Sequence, residues 1–401
     1  MAKTIAVIGA LDTKSDEFMF VKKDIEKRGH AALVINVGIV QDPGFKPDIS
    51  ADQVARAGGS DLVSLRERSD RGLAIDTMAK GIAKLIVDLH TDDRIQAVIS
   101  MGGSAGTEIG TAAMRALPLG VPKVMVSTLA SGDTKPYVGT RDIVMVPSIV
   151  DVAGINRISV QAYANAVGAV IGMVETPAPA IEEKPLLAAS MFGNTTPVVN
   201  RCRSILEENG YEVLIFHQTG TPEILESLVA DGYITGVLDI TTTEWADQIA
   251  GGVLPGGLNR YDVVSQKGIP QIVAPGCIDM ANFWARETVP KQYDNRRFFQ
   301  WAPNVTLMRT TPEENATIGR ILAEKANQSS GPVAFFLPLK GVSMLDAPEK
   351  EFWWPEANRA LFDAIKDNLK PEIPVYEMDC NINDNEFADA MADKMLEFLE
   401  N

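Results

Sequence analysis

Residues 4–37 and residues 186–217 obey one grammar, and a chain carrying such a repeat is confined to few folds. A short β-branched run, Ile5 to Ile8, leads into the loop Gly9-Ala10-Leu11-Asp12-Thr13-Lys14 and then into apolar Phe18, Val21 and Ile25 at helical spacing. Gly29 stops that helix, and Ala32 to Val37 is the next run. The second copy reads Leu186 to Met191, the loop Phe192-Gly193-Asn194-Thr195-Thr196-Pro197, a helical face of Val198, Cys202, Ile205 and Leu206, a stop at Gly210, and Tyr211 to His217. Strand, helix and strand in about 35 residues is a βαβ unit with a right-handed crossover. Gly210 follows Gly29 by 181 residues, too long a period for a solenoid, so two similar α/β domains are predicted.

The rest of the chain continues the pattern. A helical stretch near Gly72 to Leu89 precedes the run Gln96 to Ser100, and further strands are predicted at Lys123 to Val126, Asp142 to Val146, Gly236 to Ile240, Gln271 to Val273, Val305 to Met308, Pro332 to Leu337 and Pro374 to Tyr376. These runs are apolar throughout instead of alternating, which predicts mostly parallel sheets covered by helices on both faces. The predicted helix from Ile155 to Val174 is rich in Ala and Gly, so it lies between layers or packs against a twin. The Pro-rich stretch 176–185 is the best linker and sets the predicted domains at 1–180 and 181–401.

Composition narrows the partners. The net charge of −16 repels phosphate backbones and anionic lipid, so nucleic acid and membrane surfaces are poor partners, while a small phosphorylated ligand remains compatible through backbone amides. Cys202, Cys277 and Cys380 show no CxxC spacing, the N-terminus has no signal-peptide pattern, and no apolar run reaches spanning length. The expectation is a soluble cytoplasmic protein.

In open parallel sheets ligands bind beyond the carboxyl ends of the strands. The most informative loop there is Ser100-Met101-Gly102-Gly103-Ser104-Ala105-Gly106-Thr107-Glu108. Its glycines admit close approach of an anion, and the amides of Gly102, Gly103, Ser104, Ala105, Gly106 and Thr107, with the hydroxyls of Ser104 and Thr107, suit a phosphate. Lys14 adds positive charge, and Thr13 and Asn36 sit at neighbouring strand ends. Asp12 is the candidate for a metal or a ribose hydroxyl, or for a plain helix cap. Thr128, Ser131 and Gly132 offer further donors. In the second half, Asn194, Thr195, Asp239, Thr241, Thr242, Glu244 and Asp279 are expected to hold a second substrate in the cleft between the domains.

Two other chemistries use overlapping residues. Gly102-Gly103-Ser104-Ala105-Gly106 also fits the G-x-S-x-G nucleophile elbow, for which only His217 among three histidines is a plausible base. An enzyme acting on a small organic or sugar acid would bind carboxylate through Arg309 and Lys340, and Cys277 is a further nucleophile candidate whose commoner role is a buried apolar one.

Taken together, Gly9 to Lys14, Gly102 to Thr107, Asp151-Val152-Ala153-Gly154-Ile155-Asn156 and Met191 to Pro197 resemble the UPF0261 family, bacterial relatives of the N-terminal region of the plant tobamovirus-resistance protein Tm-1. Asp239 to Glu244, Thr306 to Thr311, Gly341 to Asp346 and Ile382-Asn383-Asp384 extend the likeness to nearly the whole chain. The resemblance implies two Rossmann-like domains, a homodimer, and ATP bound with magnesium. It supplies no reaction. Some relatives carry a TIM-barrel-like domain that this chain lacks, so joint work with it requires a separate partner.

Overall fold

The structure is a computed structural model describing residues 2–400 apart from Pro177, Ala178, Ala180, Ile181 and 219–221. Part of the expected linker therefore lies outside the described residues. The chain divides into two compact units, Met1–Ala180 and Ile181–Asn401.

Unit 1 holds strands β1 (Thr4–Gly9), β2 (Ala31–Asn36), β3 (Ala97–Gly102), β4 (Lys123–Ser127) and β5 (Val144–Pro147), with helices α1 (Ser15–Lys27), α2 (Ala51–Ala57), α3 (Leu62–Arg68), α4 (Arg71–Thr91), α5 (Ser104–Ala116), α6 (Lys135–Val138) and α7 (Ser159–Glu175). All five strands are parallel, in the order β2-β1-β3-β4-β5. Their apolar runs are explained by two cores. Ile5 and Val7 pack on one face with Phe18, Val21 and Ile25 of α1 and with Tyr163, Ala166 and Val170 of α7. Ala6 and Ile8 face the other way, onto Met78, Ile82 and Ile86 of α4 and Ile109 and Ala113 of α5. Period-two alternation within a run that is apolar throughout feeds both layers at once.

The small-residue helix α7 buries one face and exposes the other, where Gln161, Asn165 and Gly172 lie. Two short helices, α2 and α3, are not marked by hydrophobic period. They are held at their starts, α2 by a capping box between Ser50 and Gln53 and α3 by the Asp61 carboxylate accepting from the Ser64 amide.

Unit 2 repeats the plan. Strands β6 (Leu186–Met191), β7 (Glu212–His217), β8 (Ile234–Thr241) and β9 (Gln271–Gly276) are joined by β13 (Val333–Pro338) and β14 (Val375–Met378) in a parallel sheet ordered β14-β13-β9-β8-β6-β7. Read from β7, this is the order of unit 1 with one strand added at the far edge. Gly29 and Gly210, the stops that revealed the repeat, both have φ +89°, a region where a side chain is strained. Helices α8 (Thr196–Glu208), α9 (Pro222–Ala230), α10 (Glu244–Ala250), α11 (Asp262–Lys267), α12 (Pro312–Ala326), α13 (Pro355–Asn368) and α14 (Asn385–Glu400) complete the unit.

One expected parallel strand falls elsewhere. Residues 305–308 belong to β12 (Val305–Arg309), which pairs antiparallel with β10 (Met280–Phe283) and β11 (Phe298–Ala302) in a separate small sheet. The reason is connection length. Only Pro303 and Asn304 separate β11 from β12, and a two-residue link makes a hairpin, whereas a parallel crossover needs a dozen residues or more.

Gly9, at the end of β1, faces the ring of fully buried Phe18, and a Cβ there would stand 2.0 Å from the ring. Gly9→Ala is therefore expected to lower stability by about 1–3 kcal/mol through overpacking, measured as a reduced urea midpoint with an unchanged m-value.

Candidate functional site

In unit 1 the winding reverses between β1 and β3: the crossover from β1 leads outward to β2, and the one from β3 leads the other way to β4. The loops beyond these two strands diverge and leave a crevice, as in other sheets of order 2-1-3-4-5. A cavity of about 700 Å³ lies there. Its floor is Asp12, Thr13 and Lys14 after β1 and Met101 to Gly106 after β3; Val37 to Val40 after β2 and residues of α3 and α4 form the walls.

At the β3 end the cavity meets the start of α5. Its N-cap, Gly103, has no side chain, and the first helical bond runs from the Thr107 amide to the Gly103 carbonyl at 2.8 Å. The amides of Ser104, Ala105 and Gly106 precede that bond and carry the positive end of the helix dipole. Gly102 is fixed by packing, since a Cβ there would lie 2.8 Å from Gly106 Cα. Gly103 is different: a Cβ would meet only Thr128 Oγ1, at 3.8 Å.

At the β1 end, Asp12 is 7% exposed. Its Oδ2 accepts the Val40 amide at 2.8 Å, while Oδ1 is buried with no donor. It does not cap α1, whose N-cap is Lys14. The Lys14 ammonium donates to the Val152 carbonyl and also lines the cavity. Arg66 and Arg71 add cationic charge that the repeat did not signal, because they come from helices outside it; Arg66 Nε is tied to the Ile39 carbonyl at 2.7 Å. Ile39, Leu65, Ile75, Met78 and Ile109 add an apolar wall.

Several candidates do not line the cavity. Asn36 is buried away from the cavity, and its Oδ1 accepts the amides of Leu11 and Gly38 at 3.0 and 2.9 Å, so it shapes two loops instead of touching a ligand. Thr107 is fully buried, its hydroxyl 2.7 Å from Ser127 Oγ. Thr128, Ser131 and Gly132 line a separate pocket of about 370 Å³ beyond β4.

The nucleophile elbow is not formed. Ser104 opens α5 without the positive φ of a strained turn. The two histidines of its own unit are engaged elsewhere: His30 with Glu175 and the Lys3 amide, His90 with the Ile95 carbonyl at 3.5 Å.

The seven residues expected to line a second-substrate cleft are instead closed to solvent, none more than 1% exposed. Asp239 and Glu244 are bound to Arg260, with Nη2 at 2.6 and 2.7 Å from the Asp239 oxygens and Nε at 2.9 Å from Glu244; Glu226 takes Nη1 at 3.1 Å. Thr195 and Thr241 share a hydroxyl contact of 2.6 Å, Thr242 donates to the Ala274 carbonyl, and Asp279 accepts from Ser343. Asn194 reaches only a Met280 sulfur through its Nδ2. The threonines and acids that read as a ligand wall are internal fastenings of unit 2.

Arg309 is likewise unavailable to a carboxylate substrate, its guanidinium bonded to the Phe352 carbonyl, Thr310 and Asn358, and Lys340 pairs with Asp379. Burial pushes the Cys277 thiol well above its ordinary range, so it stays protonated and inert. Burial also raises Glu244, aided by Asp239 and opposed by Arg260, and raises Asp279, aided by Asp346.

A doubly wound α/β plan in each unit, with a cavity at the strand-reversal point of unit 1, defines a two-unit protein of the Rossmann-like class. Residues 3–179 match the model of the Uncharacterised protein family (UPF0261) N-terminal domain and residues 184–399 that of its C-terminal domain, and the chain belongs to the UPF0261 family. It is 49% identical to a UPF0261 protein of Clostridium tetani over 100% of both chains. It is 37% identical to the ToMV resistance protein Tm-1(GCR237) of Solanum lycopersicum, over 97% of this chain and 55% of that one. A UDP-N-acetylglucosamine 2-epimerase structure aligns over 100% of this chain and 97% of its own at 9% identity with a TM-score of 0.25, a likeness that carries no inference. Among the described residues no helix is long and apolar enough to cross a membrane.

Asp247 gives a pH test of the buried acids. Its oxygens accept the Asn282 amide at 2.8 Å and Nδ2 at 2.6 Å, yet burial pushes its carboxyl up to about 7. A raised acid is favoured protonated in the fold, so its contribution falls as pH rises from the unfolded value of 3.8 through 7 and is flat above. Urea unfolding should therefore show about 1 kcal/mol more stability at pH 6 than at pH 8 from this group, and Asp247→Asn should lose that share of the slope.

Proposed function

We propose that unit 1 binds ATP with Mg²⁺ in the cavity between β1 and β3. The observation that carries this reading is the convergence of an uncapped helix start, a lysine and a buried carboxylate oxygen without a donor on one cavity of about 700 Å³. That volume suits a drug-sized ligand. The amides of Ser104, Ala105 and Gly106 would take phosphate oxygens, with Lys14 neutralising further charge. Asp12 Oδ1 would hold the magnesium, directly or through its water, and the ion supplies charge neutralisation between phosphates. The apolar wall of Ile39, Leu65, Ile75, Met78 and Ile109 would cover the base. The family relation supports the reading, and Asn36 acts by holding the loops that carry Asp12 and Val40.

Two outcomes test it. Gly103 has room for a side chain, so Gly103→Val should fold with an unchanged melting temperature and lose about tenfold or more in ATP affinity by calorimetry; unchanged affinity in the folded variant would end the phosphate-loop reading. Chelation of magnesium should weaken ATP binding to the wild-type chain, and Asp12→Asn should abolish that dependence while leaving residual metal-free binding. If ATP, ADP, GTP and NAD all fail to bind with or without magnesium, the cavity serves another anion.

A further inference from the structure

Between the end of β5 and the start of α7 the chain runs through residues 148–158 without a helix or strand, and Asp151 of this segment lines the cavity of unit 1. The segment opens with a strained turn. The Val150 amide donates to the Ser148 carbonyl at 2.7 Å across Ile149, whose φ is +66°. A three-residue turn with positive φ at its centre is the rare and strained kind, and a β-branched side chain makes it costlier. Packing does not offset that cost, because Ile149 is 76% exposed. A second three-residue turn follows at once, from the Ala153 amide to the Asp151 carbonyl at 2.9 Å. Strain of this sort persists only where the surroundings hold it.

Two side chains from the start of α1 do the holding. The Lys14 ammonium donates to the Val152 carbonyl, and the Glu17 carboxylate accepts the Gly154 amide at 2.6 Å. Glu17 is 3% exposed, and the Val152 side chain is fully buried in the core that contains Phe18. At the ends of the segment the Ser148 amide donates to the Ser127 carbonyl at 3.1 Å, and Ser159 Oγ donates to the Gly154 carbonyl at 3.2 Å. Of these ties only the one from Lys14 starts at a residue that lines the cavity. A phosphate offers the ammonium an opposite charge where Val152 offers a neutral carbonyl, so an anion in the cavity draws Lys14 off the segment. One of the two clamps then opens beside a turn that is already strained.

We propose that residues 148–154 are a strap that senses occupancy of the cavity: phosphate takes Lys14 from Val152, the strap loosens, and the turn at Ile149 relaxes. The trigger rests on the nucleotide reading above, whereas the tether does not.

Amide exchange over residues 148–156 of the full chain, read by mass spectrometry as protection factors, tests this, with binding of ATP and Mg²⁺ followed by calorimetry in the same buffer. Saturating ATP and Mg²⁺ should speed exchange there by about tenfold, as expected for the loss of one charged hydrogen bond. In the nucleotide-free chain Lys14→Met should speed it by a similar factor, and nucleotide should then add nothing. Ile149→Gly removes the strain of a positive φ and should slow exchange in the free chain. Lys22→Met, further along α1 and paired with Glu26, should leave the segment unchanged. The proposal is overturned if bound ATP leaves exchange at 148–156 unchanged or slows it, the latter meaning that Lys14 bridges phosphate and strap. It is also overturned if Lys14→Met does not speed exchange in the free chain. If calorimetry shows no ATP binding, the nucleotide reading fails by itself, and inorganic pyrophosphate serves as the anion; no response to pyrophosphate then overturns the strap as well.

Discussion

Parallel pairing of β1 with both β2 and β3 governs the rest of unit 1. Parallel neighbours cannot be joined by a tight turn, so each link must climb over a face of the sheet, and right-handed crossovers fix which face. With β1 central, α1 covers one side and α4 and α5 the other. The backbone amides that would otherwise be saturated by a neighbouring loop are left at the start of α5, because the loops after β1 and β3 turn away from each other. The cavity is thus a product of strand order before any side chain is considered; the side chains decide only what it holds.

Unit 2 has the same strand order and has used the corresponding region differently. Three carboxylates surround the single guanidinium of Arg260, and all four groups are buried or nearly so. Removing water from so many charges is costly unless geometry is good and every remaining atom is bonded. The short contacts of Asp239 meet that condition, while Glu244 keeps an oxygen without a partner. The second unit is therefore closed by electrostatics where the first is open.

Much of the fold was legible because the apolar runs, the glycine stops and the repeat all point the same way. Local pattern was silent about α2 and α3, each seven residues long and defined by caps instead of period, and it missed the hairpin of β11 and β12, whose signal was only the brevity of the link at Pro303 and Asn304. Within the site, Asp12, Thr13, Lys14 and residues 102–106 were found because they lie next to strand ends in sequence. Thr107, Asn36 and the threonines after β8 lie next to strand ends too, yet their side chains turn inward to bond the backbone or one another. Residue type and position do not separate a hydroxyl that faces a ligand from one that fastens two strands. Arg66 and Arg71 are distant in sequence from every strand end, so only the packed structure brings them to the cavity.

Apart from the small sheet inserted between β9 and β13, the two units differ most in one connection. From β2 to β3 the chain takes residues 37–96, with three helices, whereas from β7 to β8 it takes residues 218–233, with one. That longer excursion supplies Leu65, Arg66, Ile75 and Met78 to the cavity but no strand to the sheet. The sheet and this part of the cavity lining therefore lie in separable stretches of chain, so substitutions in one crossover can reshape the cavity while the strand framework stays intact.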